Sequence, residues 1–407
     1  MKRVLLAFSG GLDTSYCVAA LREEGYEVVT ATVDTGNFTE AERAAIAHRS
    51  QELGASGHHH LDARAALYEG FVSYVIKANY LRGGVYPACV GPERVVAARF
   101  VADLAQSLGI EEVAHGSTGA GNDQIRFDLA LRVLAPQLRV LAPIRAQGLT
   151  RAQESEYLRA RGYHVSESTR EYSINVGLLG TTIGGKETLG TLGVPAESAY
   201  TLTSSPDEAP DSPQTLVVHF ENGLPVALDH RRFSDGTALI QTLNELAGRH
   251  GIGRGIHLGT TVLGIKGRVA FEAPALITLI QAHQELEKSV LTSRQTFWKA
   301  QMGTLYGDML HEGLFFDPLM RDLEAFLDSS QQSVTGSVHL QLYKGHVTVL
   351  GSESPFSMMA HDVAVYGEQN AYWNGRDAEG FSRLYGLEGL IAAKAKRKGA
   401  SHAPVRV

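Results

Sequence analysis

Cysteine is nearly missing from this 407-residue chain: Cys17 and Cys89 are the whole supply. That excludes a disulfide framework and points to a reducing, cytoplasmic setting. No apolar run approaches the roughly 18 residues of a membrane span. Met1-Lys2-Arg3 leads directly into a strand, without the apolar core of a signal peptide. A soluble protein with no membrane partner is expected. Excess positive charge is lacking too, because 37 Lys and Arg face 44 Asp and Glu, for a net charge of −7. That balance argues against a nucleic-acid partner. No internal repeat is visible. What the chain does have is 44% hydrophobic residues, ample for packed cores, and length for two or three domains.

The commonest phosphate loops are missing as well. No Gly-Lys-Ser/Thr completes a Walker loop, and no G-x-G-x-x-G marks a dinucleotide site. In their place stands Ala7-Phe8-Ser9-Gly10-Gly11-Leu12-Asp13-Thr14-Ser15. The apolar run 4–7 predicts a strand, and the spacing over 16–24 predicts a helix stopped by Gly25. A strand, a Gly-Gly turn and a helix N-terminus together make an anion site, with hydroxyl donors at Ser9, Thr14 and Ser15. The simplest ligand is the phosphate of a nucleotide.

From 1 to about 165 strand and helix signals alternate. Strands are predicted at 27–33, 58–61, 112–114 and 139–142. Helices are predicted at 40–53, 65–80 and 92–108, with another capped by Thr150 and ending near Gly162. This rhythm implies an α/β fold with a parallel, doubly wound sheet and ligands at the carboxyl ends of its strands. The remainder lacks that rhythm. Stretch 172–191 is dense in Gly, Ser and Thr, and 204–213 reads as a loop. Asn222-Gly223 and Lys344-Gly345 mark hairpins. Helices are predicted at 274–290, 321–329 and 238–250, the last with Gln241, Asn244, Glu245 and Arg249 on its polar face. An α+β second domain follows. The tail after Phe381, with Lys394, Lys396, Arg397 and Lys398, reads as an exposed helix and oligomer arm. The expected domains are 1–165, 166–375 and 376–407.

A second Gly-rich loop, His115-Gly116-Ser117-Thr118-Gly119-Ala120-Gly121-Asn122-Asp123-Gln124, also follows a strand and precedes a helix, at 125–133. Asn122, Asp123 and Arg126 offer an amide, a carboxylate and a guanidinium, the groups that fix an amino acid's ammonium and carboxylate. The alternative is a structural turn whose Asn122 or Asp123 caps the helix.

The first loop resembles the Ser-Gly-Gly-x-Asp-Ser/Thr loop of the ATP pyrophosphatases, which adenylate a substrate and release pyrophosphate. The second, Gly-x-Thr-Gly-x-Gly-Asn-Asp-Gln-x-Arg-Phe over 116–127, resembles the aspartate and citrulline loop of the argininosuccinate synthases. The likeness runs on through Leu134-Ala135-Pro136, Ala142-Pro143-Ile144-Arg145, Tyr172-Ser173-Ile174, Gly251-Ile252-Gly253-Arg254, Gly264-Ile265-Lys266-Gly267-Arg268, Tyr343-Lys344-Gly345 and Glu353-Ser354-Pro355. That resemblance implies an ATP-pyrophosphatase-type nucleotide domain, a synthetase domain and a C-terminal oligomerisation arm in a homotetramer. It also implies ATP, with Mg2+ on its phosphates, activating citrulline as an adenylate that aspartate then attacks. By matching positions, Ala7, Phe8, Ser9, Gly10, Gly11, Leu12, Asp13, Thr14, Ser15, Val33 and Gly116 would hold ATP. Thr118, Asn122 and Asp123 would hold aspartate. Tyr86, Asn122, Arg126, Ser173 and Thr182 would hold citrulline. No residue is assigned as a general base, and no metal ligand is assigned.

Several positions depart from the family's usual spelling. Ala120 stands for Lys, Val90-Gly91 for a Thr-Ser pair, Thr182 for Ser, Gly259 for a citrulline-binding Glu, and Phe271 for Tyr. Loss of that carboxylate leaves two alternatives beside a divergent citrulline enzyme: an N-acylated citrulline as substrate, or a regulatory nucleotide-binding protein without catalysis. His58-His59-His60 alternate in direction along a strand and do not converge on a metal. Cys17 reads as core, and Cys89 has no His partner that would make it a nucleophile. Lys266 and Arg268 either face the phosphates or bound a strand.

Overall fold

The computed structural model of the chain describes residues 2–36, 38–119, 121–165, 172–367 and 370–400. Contacts divide the chain into two units, 1–356 and 357–407. The first unit opens with β1 (Lys2–Ala7), α1 (Leu12–Glu23), β2 (Tyr26–Asp34), α2 (Glu40–Glu52) and β3 (Gly57–Asp62). Next come α3 (Arg64–Leu67), α4 (Ser73–Ala78), α5 (Gly91–Ser107), β4 (Glu112–Ala114), α6 (Asp123–Leu134), β5 (Arg139–Leu141), α7 (Pro143–Gln147) and α8 (Arg151–Ala160). The strands pair in parallel in the order β3-β2-β1-β4-β5. Val4, Leu5 and Leu6 of β1 are fully buried, a continuous apolar run as expected of a strand covered on both faces. The chain steps outward from β1 to β3, then returns to the other side of β1 with β4. That reversal leaves a crevice between the carboxyl ends of β1 and β4, where such sheets bind ligands.

The first helix starts earlier than its apolar spacing suggests, at Leu12, with Gly11 as an extended N-cap and Asp13 in the first turn. A carboxylate there complements the positive helix end, so Asp13, Thr14 and Ser15 belong to the helix. The helix expected over 65–80 is interrupted by a π-helical turn, Tyr68–Val72, and ends at Asn79 in left-handed conformation. Thr150 caps α8 reciprocally with Gln153, as its spelling predicts.

The remainder of this unit holds β6 (Ser173–Gly177), β7 (Gly180–Gly184), β8 (Gln214–Glu221), β9 (Leu224–Leu228), β10 (Arg231–Arg232), α9 (Gly236–Arg249), β11 (Arg254–Thr260) and β12 (Lys266–Glu272). It closes with α10 (Pro274–Val290), α11 (Ser293–Glu312), α12 (Pro318–Ser330), β13 (Gly336–Tyr343) and β14 (His346–Glu353). One antiparallel sheet runs β10-β9-β8-β13-β14 and another β11-β12-β7-β6. Both expected hairpin turns take positive φ at each central residue, Asn222 and Gly223 in one, Lys344 and Gly345 in the other. The Gly/Ser/Thr-rich stretch proves to be the β6–β7 hairpin. The polar face read on α9 is partly internal. Gln241 donates to the Gly36 carbonyl at 2.6 Å, and buried Asn244 accepts from the Ala275 N–H at 2.9 Å.

In the second unit α13 (Gly375–Tyr385) is capped by Asn374 and followed by α14 (Leu387–Ala400). Phe381, Leu384, Tyr385, Leu390 and Ile391 are exposed on these helices. Among the described residues no helix is long and apolar enough to cross a membrane.

Candidate active site

The first loop is built for looseness. Phe8 anchors it, its N–H donating to the Ala31 carbonyl at 2.8 Å and its own carbonyl accepting from the Thr32 hydroxyl at 2.6 Å. Gly10 then turns with φ +75°, which brings Gly11 to the helix start. Beyond that point the bonds are long. The Ser9 and Thr14 hydroxyls lie 3.3 Å apart, and the Ser9 and Gly11 N–H groups reach hydroxyls at 3.4 Å. Donors held this weakly at a helix N-terminus remain available to an anion. Leu12 and Ser15 point inward and are buried. Val33 is half-buried near the end of β2, beside Asp34, which accepts from the Gly36 N–H at 2.9 Å and pairs with Arg43 at 3.2 Å.

The second loop is braced from below. His115 is stacked on Phe127, takes the Ser117 N–H on Nδ1 at 3.2 Å, and sits 3.3 Å from Asp128. Gln124 donates to the Gly119 carbonyl, and Arg145 bonds Gln124 at 3.1 Å and Asp128 at 2.7 Å. The two loops meet at Gly116, where a Cβ would stand 3.1 Å from Thr14 Cγ2 and 3.2 Å from its backbone nitrogen. Thr118 is exposed at the loop's crest. Ala120 lies outside the described residues.

At the base of this loop Asp123 is gripped by two guanidiniums. Arg94 donates to one carboxylate oxygen at 2.9 Å and Arg126 to the other at 3.0 Å. Burial would raise the Asp123 pKa, but the two arginines outweigh it and hold the carboxyl below its ordinary range. Arg94 also reaches Asn175 at 2.8 Å. Arg126 sends Nε and Nη2 to the His311 carbonyl at the C-terminal end of α11, at 2.9 and 2.7 Å. Much of its hydrogen-bonding capacity is therefore spent inside the protein. Asn122 accepts from the Val262 N–H at 3.0 Å, which docks the β11–β12 turn onto the loop. A Cβ on Gly91 would come 3.4 Å from the Arg126 guanidinium.

The β11-β12-β7-β6 sheet supplies the opposite wall. Asn175 pairs with Thr182, Thr182 with Phe271, and Phe271 with Gly255, so their side-chain positions share one face. Ser173, two residues before Asn175, lies on that face too. The Asn175 amide oxygen, from this face, takes the Arg94 bond. Phe271 packs on Tyr86 with ring centres 5.2 Å apart, and His257 is stacked on Tyr86 at 5.4 Å. Burial raises the Tyr86 phenol well above its usual pKa, so it stays a neutral donor.

Two residues beside this wall, on α5 and α11, carried no motif in the sequence. Glu93 is buried in a slot opened by Gly177, whose absent Cβ would overlap its carboxylate. Burial pushes its carboxyl up to about 8, against the opposing pull of Arg94. His311 is held down to about 3, chiefly by burial and then by Arg126. Gly177 on β6 was the available clue to Glu93, since its missing side chain marks volume lent to a neighbour.

Lys266 bonds the Thr260 hydroxyl at 2.6 Å, and Arg268 holds the carbonyls of Glu187 and Gly193, so both organise strand ends. Cys17 and Cys89 are fully buried, and burial raises both thiols above their ordinary range. His58 lies 2.9 Å from the Thr30 hydroxyl and His60 3.4 Å from Asp34. Among the described residues no group of three or more His, Cys, Asp or Glu could hold a metal ion.

Comparison with known proteins gives a consistent picture. Residues 3–164 match the family model described as arginosuccinate synthase N-terminal HUP domain, and residues 172–392 match the arginosuccinate synthase C-terminal domain. The argininosuccinate synthase of Xylella fastidiosa is 39% identical over 400 residues, covering 97% of this chain and 98% of that relative. Those of Methanocaldococcus jannaschii and Pyrobaculum aerophilum are 36% and 38% identical over 401 and 397 residues, covering 98% and 97% of this chain and 100% and 99% of the relatives.

Proposed function

The chain belongs to the argininosuccinate synthase family, and on that premise we propose how its two loops divide an ATP-dependent ligation of citrulline with aspartate. The ureido oxygen of citrulline attacks the α-phosphorus of ATP, and pyrophosphate leaves. The amine of aspartate then attacks the ureido carbon of citrullyl-adenylate, AMP leaves, and argininosuccinate forms. Relatives of this similarity favour citrulline itself over an N-acylated form, and a working ligase over a regulatory protein.

The observation that carries the assignment is the contact of Gly116 with Thr14 at the β1–β4 crevice. It sets an anion site against the Asp123–Arg94–Arg126 cluster, so a triphosphate and an amino acid can meet across the strand ends. Residues 7–15 and Gly116 hold the phosphates through backbone N–H groups and hydroxyls, with Val33 beside the adenine. Thr118, Asn122 and Asp123 orient aspartate. Tyr86, Asn122, Arg126, Ser173 and Thr182 hold citrulline. Such chemistry asks for placement and charge neutralisation more than for a strong nucleophile. Magnesium is carried on the triphosphate itself, and when bound it neutralises phosphate charge.

Domain limits of 1–165, 166–375 and 376–407 follow this division of labour. A homotetramer in the cytoplasm is supported by the apolar side chains left exposed on α13 and α14 and by the scarcity of cysteine. The experiment is incubation of the chain with ATP, aspartate and citrulline labelled with heavy oxygen in the ureido group. Argininosuccinate should form with equimolar AMP and pyrophosphate, and the label should appear in AMP. Unlabelled AMP would exclude the adenylate route.

A further inference from the structure

Strand β11 places Gly255, His257 and Gly259 at alternate positions, so all three share the face that carries Phe271. A Cβ on Gly259 would overlap His257 Nε2, and one on Gly83 would lie 3.2 Å from its Cε1. The imidazole therefore fills the volume into which a side chain at 259 would extend. It is steadied by stacking on Tyr86, with planes 16° apart. Neither ring nitrogen has a hydrogen-bond partner among the described residues.

The charges around it are already committed. Arg82 pairs with Asp308 at 3.2 Å, and Asp308 also accepts from Tyr80 at 2.8 Å. Arg126 and Arg94 share Asp123. His311, at the end of α11, is neutral, and Tyr86, Gly83, Phe271 and Val269 bring no charge. Among the described residues around His257, then, Asp308 and Asp123 are already paired, while one imidazole has both nitrogens unengaged.

We propose that His257 is the specificity-determining residue of the citrulline site, its neutral imidazole accepting a hydrogen bond from the substrate's α-nitrogen in place of the carboxylate that Gly259 does not supply. This rests on the function proposed above. Burial, reinforced by Arg82, lowers the His257 pKa, so the ring is an acceptor at neutral pH. On acidification it gains a proton, loses its acceptor lone pair and repels the ammonium. Citrulline binding should therefore weaken below the ordinary imidazole range.

The test is steady-state kinetics with citrulline varied at saturating ATP and aspartate, together with calorimetric titration of citrulline into enzyme loaded with a non-hydrolysable ATP analogue. His257→Leu should raise KM and Kd for citrulline by about tenfold, the scale of one hydrogen bond to a charged group, and leave kcat within about twofold. His257→Gln, whose amide oxygen also accepts, should restore much of the loss. KM of the unmutated enzyme should climb as pH falls below the ordinary imidazole range and the imidazole takes up its proton, and that climb should vanish in His257→Leu. An unchanged KM in His257→Leu, or a fall in kcat alone, overturns the proposal. If His257→Leu does not fold, an acid-independent citrulline Kd in the unmutated chain does the same. Failure of the unmutated chain to make argininosuccinate overturns the function itself, whereas product formation with unaltered citrulline binding in the variants overturns only the role of His257.

Discussion

Gly116 lies directly against Thr14, its Cα hydrogen facing a backbone nitrogen only 3.2 Å from where a Cβ would sit. The contact sets the separation of the two substrate loops, because each strand behind them is fixed by the β1–β4 register. Gly116→Ala should force the loops apart by a few tenths of an ångström. The expected result is a fall of about tenfold or more in kcat/KM for ATP, with a melting temperature little changed. Steady-state kinetics beside a thermal melt will show whether the two effects separate.

Asp123→Asn should damage both fold and function. It leaves Arg94 and Arg126 with a neutral partner in a partly buried setting, at a cost of about 1–3 kcal/mol. Because the folded pKa is depressed, the stabilisation is present above the unfolded value and is lost as pH falls through the lowered one. Urea unfolding at several pH values should show the acid-induced loss in the parent and its attenuation in the variant, with product formation strongly reduced.

Glu93 works in the opposite sense. Its folded pKa, about 8, exceeds the ordinary 4.5, so the native state binds an extra proton between those limits. Stability contributed by this group therefore falls as pH rises from 4.5 toward 8. Glu93→Gln removes the titration while keeping the shape that fits over Gly177. It should stabilise the protein at neutral pH, by up to about 3 kcal/mol, and flatten the melting temperature across that interval. Glu154, which burial and then Asp13 raise to about 8, retains its own share of the slope.

Lys299 and Glu287 form a buried ion pair at 2.9 Å, and Gln331 and Asn79 also donate to that carboxylate, at 2.8 and 2.5 Å. Lys299→Met strands a buried anion and should cost about 3–5 kcal/mol. The double change Lys299→Met with Glu287→Gln, whose amide oxygen still accepts from Gln331 and Asn79, should recover much of that loss. Denaturant titration of the parent, both single variants and the double variant measures the coupling directly.

The nucleotide half was legible because its elements carry their own punctuation. β1 is apolar throughout its centre, Gly25 and Gly54 stop helices, and Thr150 with Gln153 spells a cap. The second half hid more. Helix α11 left little pattern because its packing face includes Lys299, Gly303 and Gly307, with Gly303 lying against the Ala78 carbonyl and Gly307 under the Tyr80 ring. Small residues that admit a neighbour's backbone look like loop residues in a sequence. The loops of the candidate site were visible as spelled motifs, whereas Glu93, His257 and His311 were not. Their surroundings come from strands and helices distant in the chain, and only pairing in space brings them to the same wall.

The glycines of β11 change what a position in this chain means. Phe271 spreads across the space above Gly255, and His257 across the space above Gly259. Chemistry at this wall is thus addressed by occupied volume rather than by residue number. A functional group can migrate two places along a strand if a glycine vacates its old seat. Position-by-position comparison would record that as a loss, although the seat has only changed tenant. Exchanges of this kind need two substitutions, and the order matters: the glycine must come first, since a bulky ring beside a filled neighbour would not fit.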